Sequence, residues 1–321
     1  MNTAVPLPPL QGLFEGDAET SNAYARLLPL EDQAVLPVRI LGQMLIQAPS
    51  LKGRTYVARS INCCATNQAI LKLGESQLGQ FIQYFEQLRT PSSTPLFWSI
   101  DELQVDPTAS LIRDNYRCML SGFVDNDAFV SLPALQAEVI ATKGNVSITE
   151  CHHILTEYTG CPQSKCGSRS HNWTIGCLFG TPIEDRPAGP GSHDLRNILT
   201  LEKGFQACFE RFMIWLEPTA ESDNQYTLMR QAESICRQLP SLFTFTSTSP
   251  DLPLPDPQYL AIHAACARII KLAGAAHFIT KFVDEADEIE ALEKRGPPGE
   301  LVRNLRILLA NISTRPVPTR D

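Results

Sequence analysis

The sequence predicts an α+β protein in which a short strand-strand-helix unit is flanked by helical segments. Apolar residues recur at helical spacing over residues 66–88 and 259–282, whereas residues 110–218 contain short alternating runs separated by turn residues. Of the 321 residues, 43% are hydrophobic and 19% are charged. This composition supports a sizeable buried core and excludes a wholly disordered chain.

The N-terminal part of the chain divides into a Pro-rich segment, residues 1–35, and a helical region, residues 36–109. In chain order, the patterns of this region predict a helix over 36–46, a short strand or turn over 56–61, an amphipathic helix over 66–88 and a linker over 90–95. This part is therefore expected to contribute mainly helices.

Residues 110–218 form the predicted mixed unit, and residues 219–321 form a mainly helical C-terminal region. In chain order, the patterns of the mixed unit predict strands over 116–123 and 146–155, an irregular insertion rich in Gly, Pro, Ser and Cys over 156–194, a strand over 197–201, a helix over 202–211 and a strand over 212–216. In the C-terminal region, His263 and His277 lie on the helix at 259–282 and are expected to pack in the core.

The charge of the chain argues against a broad surface for nucleic acid. The sequence has 27 Lys and Arg against 35 Asp and Glu, a net charge of -8, and each third of the chain is net negative. Proteins that bind phosphate backbones usually do so with clustered Lys and Arg. A site for an anion must here be built locally, by a metal ion or by a few converging groups.

The sequence predicts an intracellular protein of the nucleus or the cytoplasm, neither secreted nor membrane-bound. Residues 1–16 lack the basic start of a signal peptide, and no run approaches 18 apolar residues. The ten cysteines are expected to be reduced thiols, with Cys63 and Cys64 buried. Cys161 and Cys166 lack the second matching pair that would indicate structural zinc.

Residues suited to catalysis gather in the mixed unit. His152 and His153 lie near the end of one predicted strand, and Asn197 begins the next. Gln206 and Glu210 are four residues apart on the predicted helix that follows, so their side chains project from one face. This set of nitrogen and oxygen donors can surround one divalent cation, which would supply the positive charge that the composition lacks.

Four segments of the mixed unit resemble the HNH nuclease domain proteins of fungi, of the basidiomycete type. These segments are RCMLSG at 117–122, ECHHI at 150–154, NILTL at 197–201 and FERF at 209–212. Flanking segments similar to members of this group lie at 36–40, 58–61, 253–255 and 260–267. The resemblance thus covers residues 35–280 with gaps.

The resemblance implies a ββα-metal (HNH-like) fold for the mixed unit and metal-dependent hydrolysis of phosphodiester bonds. It implies that His153 is the general base that deprotonates water, and that Asn197 orients this base or braces the loop that does so. The ligands that it implies for one divalent ion, Mg²⁺, Mn²⁺, Ni²⁺ or Zn²⁺, are His152, Gln206 and Glu210. His193, close before Asn197, is a weaker candidate for contact with a substrate phosphate.

The sequence departs from the family at the helix. The family has histidine at the position of Gln206 and commonly aspartate or histidine at that of Glu210. A glutamate keeps an oxygen ligand, whereas the amide oxygen of Gln206 is neutral and binds such ions weakly. Two functions therefore stay open: an HNH endonuclease of reduced activity on nucleic acid, with DNA favoured, or a catalytically impaired HNH-fold protein that binds a partner. The sequence leaves the oligomeric state open.

Overall fold

The structure is a computed structural model that describes residues 5–87, 107–155, 194–276 and 278–279. The described chain has a run of helices up to residue 87 and a mixture of short strands and helices from residue 107, which confirms the predicted α+β class. The chain forms two compact units. Among the residues just given, the helical unit comprises 5–87, 268–276 and 278–279, and the mixed unit comprises 107–155 and 194–267.

The helical unit begins with helix α1, which lies inside the Pro-rich segment of residues 1–35. Its elements are α1 (Ala18–Leu27), a 3₁₀ turn (Leu28–Leu30), α2 (Val35–Gln47), α3 (Leu51–Asn62) and α4 (Asn67–Gln87). The Asp17 carboxylate accepts from the Thr20 N–H at 3.0 Å and caps α1. At Gly74, a Cβ atom would lie 2.6 Å from the Pro37 carbonyl oxygen, so this glycine permits the close approach of α4 to α2.

Residues 56–61 are helical, and the predicted strand or turn is wrong there. The Ser50 hydroxyl accepts from the Gly53 N–H at 3.0 Å and starts α3 upstream of this run. Val57, Ala58 and Ile61 are then buried at helical spacing. The run was too short for its periodicity to separate a strand from one face of a helix.

The described cysteines are free thiols. Cys118 and Cys266 are buried, but Cys63 is exposed and Cys64 is partly exposed, so the predicted burial of this pair is wrong. Both follow the end of α3, where the chain turns towards solvent before α4.

The first part of the mixed unit contains helix α5 and a two-stranded parallel ladder. Its elements are α5 (Pro107–Arg113), β1 (Val124–Asp125), α6 (Asn126–Ser131), α7 (Pro133–Thr142) and β2 (Val146–Ser147). Residues 116–123 form turns around a bridge between Arg117 and Val124, so the predicted strand is wrong. Asn115 and Tyr116 both have positive φ values, 53° and 56°, which reverse the chain there.

The centre of the mixed unit is an antiparallel strand pair followed directly by a helix. Strand β3 (Thr149–His153) pairs with β4 (Ile198–Glu202), with His152 opposite Leu199 and His153 opposite Ile198. Helix α8 (Lys203–Glu210) follows β4 and buries Phe205 and Phe209 against the core. The strand predicted over 197–201 and the helix predicted over 202–211 are confirmed to within one residue at each end.

The C-terminal part of the mixed unit is a three-stranded antiparallel sheet and a long helix. The elements are β5 (Ile214–Pro218), β6 (Gln225–Arg230), β7 (Leu242–Thr244) and α9 (Pro257–Ala273), of which residues 268–273 count with the helical unit. The helix predicted over 259–282 is interrupted at Gly274, which adopts a φ of 76° and ends α9. His263 is buried on α9, as predicted.

A buried ion pair anchors the start of β4. The Arg113 side chain is 0% exposed and forms a bidentate pair with Asp114, at 2.7 and 2.8 Å. The guanidinium also donates to the carbonyl oxygens of Leu195 at 2.8 Å and Ile198 at 2.9 Å, and more weakly to that of Pro253 at 3.3 Å. Arg113 therefore fixes the backbone before and after Asn197, the residue that leads into β4.

Several sequence predictions lie outside the described residues. These are the 90–95 linker, residues 156–193 of the insertion, Cys161, Cys166, His193, His277 and residues 280–321 of the predicted helical C-terminal region. Among the helices that the structure describes, none has the length and apolar character needed to cross a bilayer.

Candidate active site

Gln206 and Glu210 lie one turn apart on α8 and contact each other, as their spacing predicts. The Gln206 side-chain amide donates to Oε1 of Glu210 at 2.9 Å. Both side chains are partly buried. The helix begins at Lys203, immediately after β4, so this face lies next to the β3–β4 pair.

His152 meets the same carboxylate from the middle of the strand pair. Its Nδ1 atom lies 3.1 Å from Oε1 of Glu210, and its side chain is 6% exposed. The ring packs edge-on against Phe209, with the ring centroids 6.0 Å apart and an interplanar angle of 80°. All three residues predicted as metal ligands, His152, Gln206 and Glu210, are therefore brought together around one carboxylate oxygen.

Glu210 is the anionic member of this group. Burial raises its pKa, but the hydrogen bond and charge of His152, the hydrogen bond from Gln206 and the charge of Arg211 outweigh burial and hold the pKa below its usual value. The carboxylate is ionised at neutral pH and can only accept hydrogen bonds. The His152 tautomer that donates to it carries its hydrogen on Nδ1.

His153 lies on the opposite face of the strand pair. Successive side chains of a strand alternate between faces, so His153 shares a face with Cys151. Cys151 contacts Ser110 of α5, with 2.7 Å between sulfur and hydroxyl oxygen, whereas His152 contacts α8. The Nε2 atom of His153 is shielded from solvent, although the residue is partly exposed. The predicted general base and the predicted ligands thus flank the same strand from two sides.

Asn197 braces the chain directly after β3. Its Oδ1 accepts from the Leu155 N–H and its Nδ2 donates to the Leu155 carbonyl oxygen, both at 3.0 Å. The Asn197 carbonyl oxygen accepts from the Ile154 N–H at 2.8 Å. The side chain is buried, with 6% of the residue exposed. These bonds brace the chain after β3, which is one of the two roles expected for Asn197.

The three donors fit a divalent cation in part. Within the described ranges, no group of three or more His, Cys, Asp and Glu residues is placed to hold a metal ion. His152 and Glu210 make two such residues, and Gln206 takes the third place. The Oε1 atom of Gln206 is buried and has no hydrogen-bond partner in this structure. This acceptor is a group that a cation would satisfy.

The residue that sequence reasoning missed is His263. The sequence predicts only core packing for this residue, yet its Nε2 atom lies 3.0 Å from the carbonyl oxygen of Phe209, the residue before Glu210. The contact joins α9 to the last turn of α8. No local pattern relates these segments, because the pairing depends on how two distant helices pack.

Comparisons of the chain with protein family models, with curated proteins and with solved structures gave no match.

Proposed function

We propose that β3, β4 and α8 form a ββα-metal unit of the HNH type and that the protein is a metal-dependent endonuclease for nucleic acid, with DNA favoured over RNA. The observation that carries the proposal is the convergence of His152, Gln206 and Glu210. They come from a strand and from the helix after the paired strand, at the positions that the resemblance implies for cation ligands. The chain itself supplies little positive charge, with a net charge of -8.

The donor set suits a hard or borderline cation. One imidazole nitrogen, one carboxylate oxygen and one amide oxygen are available, and such ligands suit Mg²⁺, Mn²⁺, Ni²⁺ or Zn²⁺. When bound, the cation would supply Lewis-acid stabilisation of the charge on a scissile phosphate. Glu210 contributes the negative charge of the site and Phe209 limits the position of the His152 ring.

In the proposed reaction, His153 accepts the proton of the attacking water. Because its Nε2 atom is shielded from solvent, the transfer uses Nδ1 or follows a rotation of the ring that exposes Nε2. Asn197 keeps the backbone of Ile154 and Leu155 in place immediately after the base. A location inside the cell is part of the proposal, and the free thiols of the described cysteines are consistent with it.

One observation supports the second candidate, an HNH-fold protein that binds a partner without efficient catalysis. Gln206 donates its amide to Glu210 and so occupies the carboxylate oxygen that a cation would need. A neutral amide also attracts a cation more weakly than the family's histidine. The two candidates predict different metal affinities and different turnover.

The test is nicking of supercoiled plasmid by the purified chain with each of the four metal ions, beside His153→Ala and His152→Ala. We expect nicking by the native chain, loss of turnover in His153→Ala with retained metal binding, and loss of both in His152→Ala. Equal nicking by all three proteins, or none by the native chain under any metal, overturns the endonuclease proposal.

Gln206→His separates the two candidates. Restoring the imidazole should tighten Mn²⁺ binding by about tenfold or more, since an imidazole nitrogen is a stronger donor to such ions than an amide oxygen. Gln136→His is the matched control, because it adds one histidine on an exposed position of α7. Tighter binding without nicking favours the binding protein, and equal affinity of both variants contradicts a cation site at Gln206.

A further inference from the structure

Four aromatic rings, those of His152, Phe209, Phe212 and His263, pack in one stack behind the candidate site. The His263 and Phe209 rings are parallel, with an interplanar angle of 3° and centroids 3.7 Å apart. His152 meets Phe209 edge-on. Phe212 packs against His263 at 4.9 Å. The stack therefore connects α9 to both a predicted ligand and the residue next to Glu210.

His263 also bonds to the end of α8. The Phe209 carbonyl oxygen, in the last turn of the helix, accepts from the Phe212 N–H at 2.9 Å and lies 3.0 Å from Nε2 of His263. A carbonyl oxygen can only accept, so Nε2 of His263 carries the hydrogen. Carbonyls at the end of a helix lack intrahelical donors, and here a buried imidazole supplies one.

Packing alone does not account for an imidazole at this position. His263 is 2% exposed, and its Nδ1 atom is buried without a hydrogen-bond partner. Burial lowers the pKa of His263 to about 3, so the ring is neutral at pH 7. An apolar side chain would fill the space without an unsatisfied nitrogen. What an apolar residue would not supply is the N–H directed at Phe209.

We infer that His263 is a positioning residue for the proposed cation site: its N–H fixes the last turn of α8 and thereby holds Glu210 against His152. The inference rests on the proposed function. In this role His263 acts through Phe209 and not through a contact with Glu210 or with a substrate.

The test compares variants that separate the donor from the ring. His263→Gln keeps an N–H near the position of Nε2, whereas His263→Phe keeps the stacked ring and loses the donor. Leu260→Ala is the control, because Leu260 lies one turn earlier on α9 and packs in the same core. If His263→Phe does not fold, His263→Leu serves as the variant without a donor.

Two quantities are measured at a temperature well below the thermal unfolding midpoint of each protein. The first is the Mn²⁺ dissociation constant by calorimetry: we expect His263→Gln to stay within about twofold of the native chain and His263→Phe to bind about tenfold more weakly, as for other residues that orient ligands. The second is the side-chain amide resonance of Gln206 in metal-free protein, which reports its bond to Glu210 and should move in His263→Phe alone.

The results of these measurements distinguish a positioning role of His263 from a packing role. Native affinity and native Gln206 resonances in His263→Phe would make His263 a packing residue and overturn the inference. The same result follows if Leu260→Ala weakens Mn²⁺ binding as much as His263→Phe does. If the native chain binds none of the four metal ions, the proposed function fails, and the Gln206 resonances then decide the positioning role by themselves.

Discussion

The Nδ1 atom of His152 lies 3.1 Å from Oε1 of Glu210, so one hydrogen-bond contact joins strand β3 to the end of helix α8. The same oxygen accepts from Gln206. The candidate site is therefore organised around a single carboxylate, and the charge of that carboxylate is the property that substitutions can test first.

Glu210→Gln should lower the free energy of unfolding by about 1 kcal/mol at pH 7, because a charge-assisted hydrogen bond becomes a neutral one. The pKa of Glu210 is lowered in the folded state, so its contribution is complete above the ordinary value of 4.5 and is lost as the pH falls below it. Urea titrations at pH 7, 5, 4 and 3 should show the difference from the native chain narrowing below pH 4.5. Glu150→Gln, in an exposed pair with Lys203, should change stability by less than about 0.5 kcal/mol. A gap for Glu210→Gln that stays constant down to pH 3 would contradict the prediction.

Asn197→Ala should cost about 1–3 kcal/mol of stability, because the Leu155 N–H and carbonyl oxygen both lose their side-chain partner. Asn197→Asp should be destabilising too, since a carboxylate cannot donate to the carbonyl. Hydrogen exchange of the Leu155 amide should accelerate in Asn197→Ala and much less in Asn197→Asp, which keeps an acceptor. Asn126→Ala, at an exposed position of α6, is the control and should stay within about 0.5 kcal/mol. Equal stability of the Asn197 and Asn126 variants would show that the brace is unimportant.

Arg113→Met should lower stability by about 3–5 kcal/mol, because it leaves the buried Asp114 carboxylate without its partner. Adding Asp114→Asn to Arg113→Met should recover part of the loss, as it removes the uncompensated charge. Recovery should be incomplete, since the carbonyl oxygens of Leu195 and Ile198 still lack a donor. Urea unfolding of the native chain, the two single variants and the double variant measures this cycle, and strictly additive effects would argue against a coupled pair.

His263 should make stability depend on pH in the range from 6.5 downwards. Its folded pKa of about 3 lies below the ordinary 6.5, so below pH 6.5 the unfolded chain binds a proton that the folded chain does not. The contribution of His263 to the free energy of unfolding is complete above pH 6.5. It falls by about 1 kcal/mol between pH 6.5 and 5.5. His263→Gln cannot titrate, so the stability difference between the native chain and this variant should shrink by that amount. An unchanged difference between pH 7.5 and 5.5 would mean that His263 takes up a proton in the folded state.

Two glycines of α4 should respond in opposite directions to alanine. Gly74→Ala places a Cβ atom 2.6 Å from the Pro37 carbonyl oxygen, so it should destabilise the helical unit by about 1–3 kcal/mol. Gly79→Ala meets nothing within 4 Å, and alanine should stabilise the helix interior by about 0.5–1 kcal/mol. Thermal unfolding of both variants checks the sign. If both substitutions stabilise, α2 and α4 do not approach each other at Gly74.

Long periodic segments were predictable and short ones were not. The helix at 66–88 and the strand-helix order of residues 197–211 follow from local spacing, and α4, β4 and α8 confirm them. The patterns predict a strand or turn over residues 56–61 and a strand over 116–123, whereas the first segment is helical and the second forms turns. In each, an apolar run of a few residues fits more than one period. The Ser50 cap before the first run and the left-handed backbone at Asn115 and Tyr116, where the second run starts, decided the conformation.

By itself, the sequence determined the α+β class, the order of strand and helix around the candidate site and the shared face of Gln206 and Glu210, because these depend on repeats of two or four residues. Only the tertiary structure decided which of the two adjacent histidines meets that face. Strand alternation requires that His152 and His153 part, but it does not say which one faces α8; the packing of α8 and α5 on opposite faces of the β3–β4 pair does. The bond from His263 to Phe209 was likewise decided only by the tertiary structure, since it joins residues that are distant in the chain and share no local pattern.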